Sequence, residues 1–192
     1  VLPPVKIILH KIVPFGTGLG AGSSNAAHTL ILLNNKFNLN ISKQELINKA
    51  AKIGADCAFF IKNTPVFAEG IGNIFTDISL DLTNHYLVLC FPGISVSTPE
   101  AYAGCVPHKP EKSLKELVKL PLNQWPKSIK NDFEAKVFQK YNILAEIKQD
   151  LYDFGAIYAQ MSGSGSAIFG IFNHNPDKIK LLKCADYKIV KL

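Results

Sequence analysis

The chain has 192 residues, 47% of them apolar, which is enough to bury a core in one domain or in two small ones. No apolar run approaches the roughly 18 residues that span a bilayer, and no charged-then-apolar leader opens the chain, so we expect no membrane association. The net charge is +6, and a basic balance can favour nucleic acids. The lysines are dispersed among apolar residues without a basic arm or aromatic ladder, so we expect a small anionic ligand rather than a nucleic acid.

Four cysteines are widely scattered along the chain, at Cys57, Cys90, Cys105 and Cys184. They form no Cys-x-x-Cys pair, and no histidine stands near them at the spacing of a zinc site. This pattern is typical of reduced thiols rather than of a disulfide framework or a metal centre. We therefore expect a cytoplasmic protein.

The first half of the chain is predicted to form a strand followed by two helices. Residues 5–13 are rich in β-branched and long apolar residues, which predicts a strand. Apolar residues at helical spacing predict a helix over residues 24–34. A second helix is predicted to begin at Ser42, where Ser42 and Glu45 have the spacing of a capping box, and to end at Gly54. Asp56 would then lie just past the end of that helix.

Between the predicted strand and the first helix lies a glycine-rich run, which we call the first glycine segment (residues 14–24). It reads Pro14-Phe15-Gly16-Thr17-Gly18-Leu19-Gly20-Ala21-Gly22-Ser23-Ser24. Glycine tolerates positive φ and has no Cβ, so such a segment can bring its backbone N–H groups close to a bulky anion. The helix after it adds free N–H donors and the positive end of its dipole. We expect a polyphosphate as the ligand.

Other interpretations of this segment are weaker. A Walker A loop requires a lysine, and none stands between Gly16 and Ser24. A dinucleotide fingerprint requires an acidic residue about 20 positions further on, yet residues 36–44 contain none and Glu45 comes late. A plain turn from strand to helix needs fewer glycines. Ser23 or Ser24 is expected to cap the helix, and one of the two hydroxyls also to reach a phosphate oxygen or a metal ion.

The second half is predicted to form strands and helices in the order βααββαβ, which approximates a ferredoxin-like split βαβ arrangement. The predicted elements are a strand at 86–91, a helix at 114–120, a helical stretch at 132–153 with a break near Asn142, strands at 156–161 and 167–172, a helix at 176–184 and a strand at 187–190. Asn131 and Glu134 are predicted to form a helix-cap pair, and Gly155 is predicted to end a helix. We place the boundary between the two halves within residues 79–84.

Several segments together resemble one family. Pro14-x-x-x-Gly18-Leu19-Gly20-x-Gly22-Ser23-Ser24-x-Ala26-Ala27 resembles the nucleotide loop of the GHMP kinases, and residues 161–169, Met-Ser-Gly-Ser-Gly-Ser-Ala-Ile-Phe, resemble their C-terminal glycine motif. Residues 54–60 and 67–72, with 92–99 and 131–134, are similar to family members that phosphorylate a hydroxyl of a small phosphorylated alcohol. The resemblance covers nearly the whole chain, in the family's order.

The resemblance implies an α+β, two-domain architecture. Residues 1–80 would be part of the N-terminal α/β domain, which is ribosomal-protein-S5-like, and residues 81–192 the ferredoxin-like C-terminal domain. It also implies ATP and Mg²⁺ as cofactors and Asp56 as the catalytic base. The residues implied to bind the nucleotide are Pro14, Gly16, Gly18, Leu19, Gly20, Gly22, Ser23, Ser24, Gly163 and Gly165. Those implied to bind the substrate are Gly54, Thr98 and Tyr102, and Ser23 or Ser24 would meet the Mg²⁺.

In the family, a strand bearing a lysine and an asparagine lies well upstream of the nucleotide loop. Only thirteen residues precede Pro14 here, so we expect that strand to lie outside this chain. Two alternatives therefore stay open beside the main interpretation. One is a GHMP kinase acting on homoserine, mevalonate or a sugar, and the other is a catalytically silent nucleotide-binding fragment.

Overall fold

The computed structural model describes residues 2–105 and 110–192. The chain divides into two compact units. The first unit contains the residues up to Phe15 together with Gly20–Ile78, and the second contains Gly16–Leu19 together with Ser79–Leu192. Four residues of the first glycine segment therefore belong to the second unit. Within the described residues, no helix is long and apolar enough to cross a membrane.

The first unit is built from three helices and a hairpin. Its elements are α1 (Ala21–Lys36), α2 (Lys43–Ala51), α3 (Ala55–Lys62), β1 (Val66–Glu69) and β2 (Ile74–Asp77). The three helices bury a small core that includes Ala27, Leu46, Ala50, Cys57 and Ile61. The capping box is confirmed at the start of α2, where the Ser42 hydroxyl accepts from Glu45 N and the Glu45 carboxylate accepts from Ser42 N at 3.1 Å. The antiparallel β1–β2 hairpin was not predicted.

The helix predicted over residues 24–34 is confirmed as α1, but three details predicted for this unit are wrong. Residues 5–13 are not a strand, because a strand forms only when a neighbouring strand satisfies its N–H and C=O groups, and none of the described strands pairs with them. Helix α1 begins at Ala21, three residues early, since Gly20 in the left-handed conformation serves as its N-cap and no side chain caps it. Gly54 is the N-cap of α3 and not the end of α2, so Asp56 lies inside the first turn of a helix.

The second unit is a four-stranded antiparallel sheet covered by helices. Its elements are β3 (Tyr86–Phe91), α4 (Thr98–Ala103), α5 (Leu114–Leu117), a 3₁₀ turn (Leu122–Gln124), α6 (Trp125–Ser128), α7 (Glu134–Lys140), α8 (Asn142–Asp153), β4 (Tyr158–Met161), β5 (Ile168–Phe172) and β6 (Asp186–Lys191). The strand order is β4-β5-β3-β6, as in a split βαβ arrangement. Its core packs the central strands against α8, with Leu144, Ile147 and Leu151 fully buried.

The predicted strands of this unit are confirmed to within about two residues, and the helical break near Asn142 lies at Tyr141. Gly155, at φ 95°, comes just after the end of α8 as predicted. The helix predicted over residues 114–120 stops at Leu117. The helix predicted over residues 176–184 is absent. Ile179 and Leu181 are both buried although they are two positions apart, and that spacing puts side chains on one face of an extended chain, not of a helix.

Candidate functional site

The spacing of glycines in the first glycine segment is explained by backbone conformation. Gly16, Gly18 and Gly20 all have positive φ, at 67°, 70° and 63°, which side-chain-bearing residues rarely adopt. At Gly18 there is also no room for a side chain, because a Cβ there would collide with the carbonyl oxygen of Ser162 and lie 2.9 Å from Gly165 N. Glycine at positions 16, 18 and 20 is therefore a structural requirement of this segment.

Within the second unit, the first glycine segment contacts the second glycine segment (residues 162–167). The Ser162 hydroxyl donates to Gly18 O at 3.0 Å, and Ser166 N donates to Gly16 O at 3.2 Å. Ala167 N donates to Thr17 O at 3.1 Å. Three successive carbonyl groups of the first segment are thus held by the second. Gly163 and Gly165 are both part of this contact, since Gly163 also lies against Gly18 O.

Within the first unit, the start of α1 presents unused hydrogen-bond donors. Ser24 N donates to Gly20 O at 2.8 Å and is the first bond of the helix. The N–H groups of Ala21, Gly22 and Ser23 precede it, and no group among residues 2–105 and 110–192 accepts from them. The first turn contains no acidic residue to offset the positive end of the helix dipole. This end of α1 is suited to bind an anion.

The two hydroxyls of this turn differ in their surroundings. Ser24 Oγ lies 3.4 Å from His28 Nδ1, and the same ring nitrogen lies 2.8 Å from Ser24 O. The Ser23 hydroxyl makes no hydrogen bond to any described residue. Neither hydroxyl caps the helix, which corrects the sequence prediction. Ser23 is therefore the hydroxyl that is available to a ligand.

Asp56 lies at the second position of α3, exposed to solvent. Phe60 lies four residues further, so the two side chains share a face of that helix. The Phe60 ring packs against the N-cap of α1, where a Cβ built on Gly20 would lie 2.9 Å from Phe60 Cε2. The turn of the β1–β2 hairpin lies on the other side, and a Cβ on Gly72 would lie 4.0 Å from Asp56 Oδ1. The carboxylate is thus carried on the helix face that meets the start of α1, where the N–H groups are unused.

Three further candidates lie at helix starts or on helices. Gly54 has an extended backbone at φ −176° and forms the N-cap of α3. In the second unit, Thr98 is the first residue of α4, whose N-cap Ser97 accepts from Glu100 N. Tyr102, on the same helix, is 64% exposed, and its ring meets that of Phe133 edge-on with centroids 4.9 Å apart. The ring is supported by Phe133 and keeps most of its surface open.

The structure therefore groups the candidates in two sets. Gly20, Gly22, Ser23, Ser24, Gly54 and Asp56 belong to the first unit, whereas Gly16, Gly18, Leu19, Thr98, Tyr102, Gly163 and Gly165 belong to the second. Pro14, also in the first unit, is exposed. Sequence reasoning missed Phe60, which joins α3 to α1, and Ser162, which joins the two glycine segments. Ser162 comes directly before Gly163 in the C-terminal glycine motif. Its place in that motif could have identified it as a candidate from the sequence.

Two family models match the chain. The model of the GHMP kinases N terminal domain matches residues 2–64, and that of the GHMP kinases C terminal matches residues 111–186. A solved structure described as 4-(cytidine 5'-diphospho)-2C-methyl-D-erythritol kinase superposes with a TM-score of 0.71 at 30% identity, covering 83% of this chain and 59% of that one. Homoserine kinase from Cytophaga hutchinsonii superposes with a TM-score of 0.65 at 16% identity, covering 94% of this chain and 67% of that one, and so shares the fold.

Curated relatives are named as kinases of the same compound as the first of these structures. The 4-diphosphocytidyl-2-C-methyl-D-erythritol kinase of Bacteroides fragilis is 54% identical over 172 residues, which are 90% of this chain and 63% of the relative. The enzyme of that name from Porphyromonas gingivalis is 43% identical over 187 residues, which are 95% of this chain and 68% of the relative. The chain thus spans slightly less than two thirds of the Bacteroides fragilis enzyme. Matched in both halves and in its α+β architecture, it belongs to the GHMP kinase family.

Proposed function

We propose that this chain carries the nucleotide-binding and phosphoryl-transfer residues of a 4-diphosphocytidyl-2-C-methyl-D-erythritol kinase of non-mevalonate isoprenoid biosynthesis. In this reaction the substrate's 2-hydroxyl oxygen forms a bond to the γ-phosphorus of ATP, and the bond from that phosphorus to the β,γ-bridging oxygen breaks to release ADP. The observation that carries the proposal is the packing of Phe60 against Gly20. It puts the Asp56 face of α3 against the helix end whose N–H groups are unused.

The start of α1 is the proposed phosphate site. Phosphoryl transfer depends on positioning and on neutralising charge on the phosphate oxygens. The N–H groups of Ala21, Gly22 and Ser23 supply fixed donors there, and their orientation is set before the ligand arrives. The Ser23 hydroxyl, unlike that of Ser24, is free to add a further hydrogen bond. Gly16, Gly18 and Leu19 extend the same segment.

Asp56 is the proposed base. Its carboxylate would accept the proton that the 2-hydroxyl loses as the bond to phosphorus forms, and before that step it would orient the hydroxyl. Exposure suits this role, because the side chain has to reach a substrate that arrives from solvent. Gly72 of the hairpin turn adds no side chain beside the carboxylate, since a Cβ built on it would lie 4.0 Å from Asp56 Oδ1.

Mg²⁺ would neutralise charge on the phosphate oxygens when it is bound with ATP. Among residues 2–105 and 110–192, no group of three or more histidine, cysteine, aspartate or glutamate side chains could hold a metal ion. This fits Mg²⁺ that arrives with a nucleotide, since that ion keeps several waters and needs only one or two protein ligands beside the phosphates. The Ser23 hydroxyl would be such a ligand, with the Ser24 hydroxyl as the alternative.

The cytidine of the substrate is proposed to meet Tyr102 and Thr98 of the second unit. Gly54, at the N-cap of α3 in the first unit, is proposed as a further substrate-binding residue. The Tyr102 ring is exposed yet supported by Phe133, which suits it to stack on a base at little entropic cost. Stacking of this kind contributes roughly 1–3 kcal/mol per base. Thr98, exposed at the start of α4, offers a hydroxyl on the same helix.

The test is mass spectrometry of 4-diphosphocytidyl-2-C-methyl-D-erythritol incubated with the chain, ATP and Mg²⁺. We expect a product heavier by one phosphoryl group, which is absent when mevalonate or homoserine replaces the substrate. Calorimetric titration with ATP runs in parallel. ATP binding without any product would instead support a nucleotide-binding fragment, and product from homoserine or mevalonate would move the chain to another member of the family.

A further inference from the structure

Strand β4 lies at the edge of the four-stranded sheet, yet its outward-facing backbone groups are satisfied. The Tyr152 hydroxyl accepts from Ala159 N at 3.1 Å and donates to Ala159 O at 3.2 Å. Burial raises the pKa of Tyr152 above its usual value, which keeps that hydroxyl protonated. Two positions further, Met161 N and Met161 O are also bound by side chains, those of Glu134 and Asn131. Side chains take the place of a fifth strand along this edge.

Asn131 joins the end of β4 to the second glycine segment. Its Nδ2 donates to Met161 O at 2.9 Å and to Gly163 O at 2.7 Å, while its Oδ1 accepts from Phe133 N at 2.9 Å. A side-chain amide carries two N–H donors and a carbonyl acceptor, and this one uses all three. An aspartate of the same shape has no donor for either carbonyl when it is ionised.

Glu134 fixes the same strand end from the other side of the backbone. One carboxylate oxygen accepts from Met161 N at 2.8 Å, and the other pairs with Lys148 Nζ at 2.6 Å. The side chains of Glu134 and Lys148 are only 13% and 24% exposed, so this charge-assisted bond is largely shielded from water. The helix-cap pair predicted from the sequence is therefore wrong, because no side chain caps α7 and Glu134 instead binds β4.

The bonded residues lead directly to the first glycine segment. The segment that Asn131 and Glu134 fix, from Met161 to Gly163, continues into Ser166 and Ala167, whose N–H groups hold Gly16 O and Thr17 O. Ser162, between Met161 and Gly163, holds Gly18 O. Gly18 is two residues from the N-cap of α1 along the chain. Hydrogen bonds thus connect Asn131 to the first glycine segment through the second.

We propose that Asn131 and Glu134 are positioning residues for nucleotide binding, which act by fixing the turn that holds the carbonyl groups of the first glycine segment. The proposal rests on the proposed function for its ligand, ATP. Whether the two side chains fix the turn can be measured without ATP. Neither side chain has to touch the nucleotide.

The first measurement is amide hydrogen exchange of the whole chain with the Asn131→Asp variant. We expect exchange at Ser166 and Ala167 to become at least tenfold faster, because the turn that presents these N–H groups is no longer fixed. Tyr152→Phe is the matched control, since it removes side-chain bonds from the same edge strand but two positions away from the turn. It should leave exchange at Ser166 and Ala167 within twofold. Equal acceleration in both variants, or in neither, would overturn the proposal.

The second measurement is calorimetric titration with ATP, interpreted beside the thermal midpoint of each variant. We expect Asn131→Asp to weaken ATP binding about tenfold, and Tyr152→Phe to lower the midpoint without changing ATP affinity. Glu134→Gln keeps an acceptor for Met161 N and should recover most of the affinity that Glu134→Ala loses. Faster exchange with unchanged affinity would overturn the role in nucleotide binding. A parent chain that binds no ATP would overturn the proposed function. The exchange data would then still show whether Asn131 fixes the turn of the second glycine segment.

Discussion

The two glycine segments are similar in composition but lead into different elements. The first leads into α1, so its last residues become the first turn of a helix with unused N–H donors. The second connects β4 to β5, and the N–H groups of Ser166 and Ala167 are used to hold carbonyl groups of the first. Glycine content alone therefore does not identify a phosphate site. The element that comes after the glycines decides whether donors are left for a ligand.

The largest effect is expected at Asp56, which lies on the helix that packs against the first glycine segment. Asp56→Asn keeps the shape of the side chain but removes the proton acceptor, so turnover should fall by about 10²–10⁴-fold while ATP affinity stays near that of the parent. Mass-spectrometric rates and calorimetry on the same preparation provide both values. Unchanged turnover would contradict the assigned role, and a large loss of ATP affinity would show that the carboxylate acts in binding.

The next largest effect is expected at Gly18, where the two segments meet. Gly18→Ala adds a Cβ to a residue whose φ is 70°. That Cβ would collide with the Ser162 carbonyl oxygen. The backbone strain alone should cost about 1–3 kcal/mol of unfolding free energy, and ATP binding should be lost with the geometry. Chemical denaturation measures the first effect.

Gly22→Ala is the matched control for Gly18, since a Cβ at Gly22, inside α1, would meet nothing within 4 Å. Helix propensity should raise the unfolding free energy by up to about 1 kcal/mol. A stable Gly18→Ala variant with normal ATP affinity would contradict the prediction that Gly18, unlike Gly22, has to be glycine.

A smaller effect is expected at the hydroxyls. Ser23→Ala should weaken ATP binding several-fold, because that hydroxyl has no partner among the described residues, whereas Ser24→Ala should change it less than twofold, because Ser24 lies against His28. ATP titrations at a fixed Mg²⁺ concentration compare the two. The opposite ranking would assign the ligand contact to Ser24.

The smallest effect is expected in the second glycine segment. Ser164→Ala alters a hydroxyl in a segment whose neighbours hold the first segment by backbone groups and by Ser162, so ATP affinity should change less than twofold. The same titration measures it. A loss of ATP affinity as large as that of Ser23→Ala would show that both segments contact the nucleotide. The two segments would then not differ in function.

The elements that were predicted correctly are those whose signals are local or strongly apolar. The capping box at Ser42 needs only residues within one turn of α2. Strand β3 is apolar throughout and lies between two partners, β5 and β6, so its boundaries match the prediction. The wrong predictions concern residues whose partners are distant. Residues 5–13 have the composition of a strand without a described strand beside them, and residues 176–184 form two short turns in place of a helix.

Most candidate site residues were identified from the order of motifs, but the sequence did not show how they are held. Gly54 was expected to end one helix and instead begins the next, because glycine suits either position and only the packing of α2 and α3 selects one. Asn131 and Glu134 have the spacing of a helix cap. In the structure both side chains instead bind the backbone of Met161 in β4, which lies 30 residues from Asn131 and 27 from Glu134 in sequence.

The sequence by itself determined the family, through the order of its motifs. It also determined where glycine is needed, since the tolerance of positive φ is a property of the residue itself. The tertiary structure decided which donors stay unused and which are spent on the chain itself. A hydrogen-bond group has no fixed partner until distant segments meet. That is why the first glycine segment offers N–H groups to a ligand while the second is occupied in holding the first.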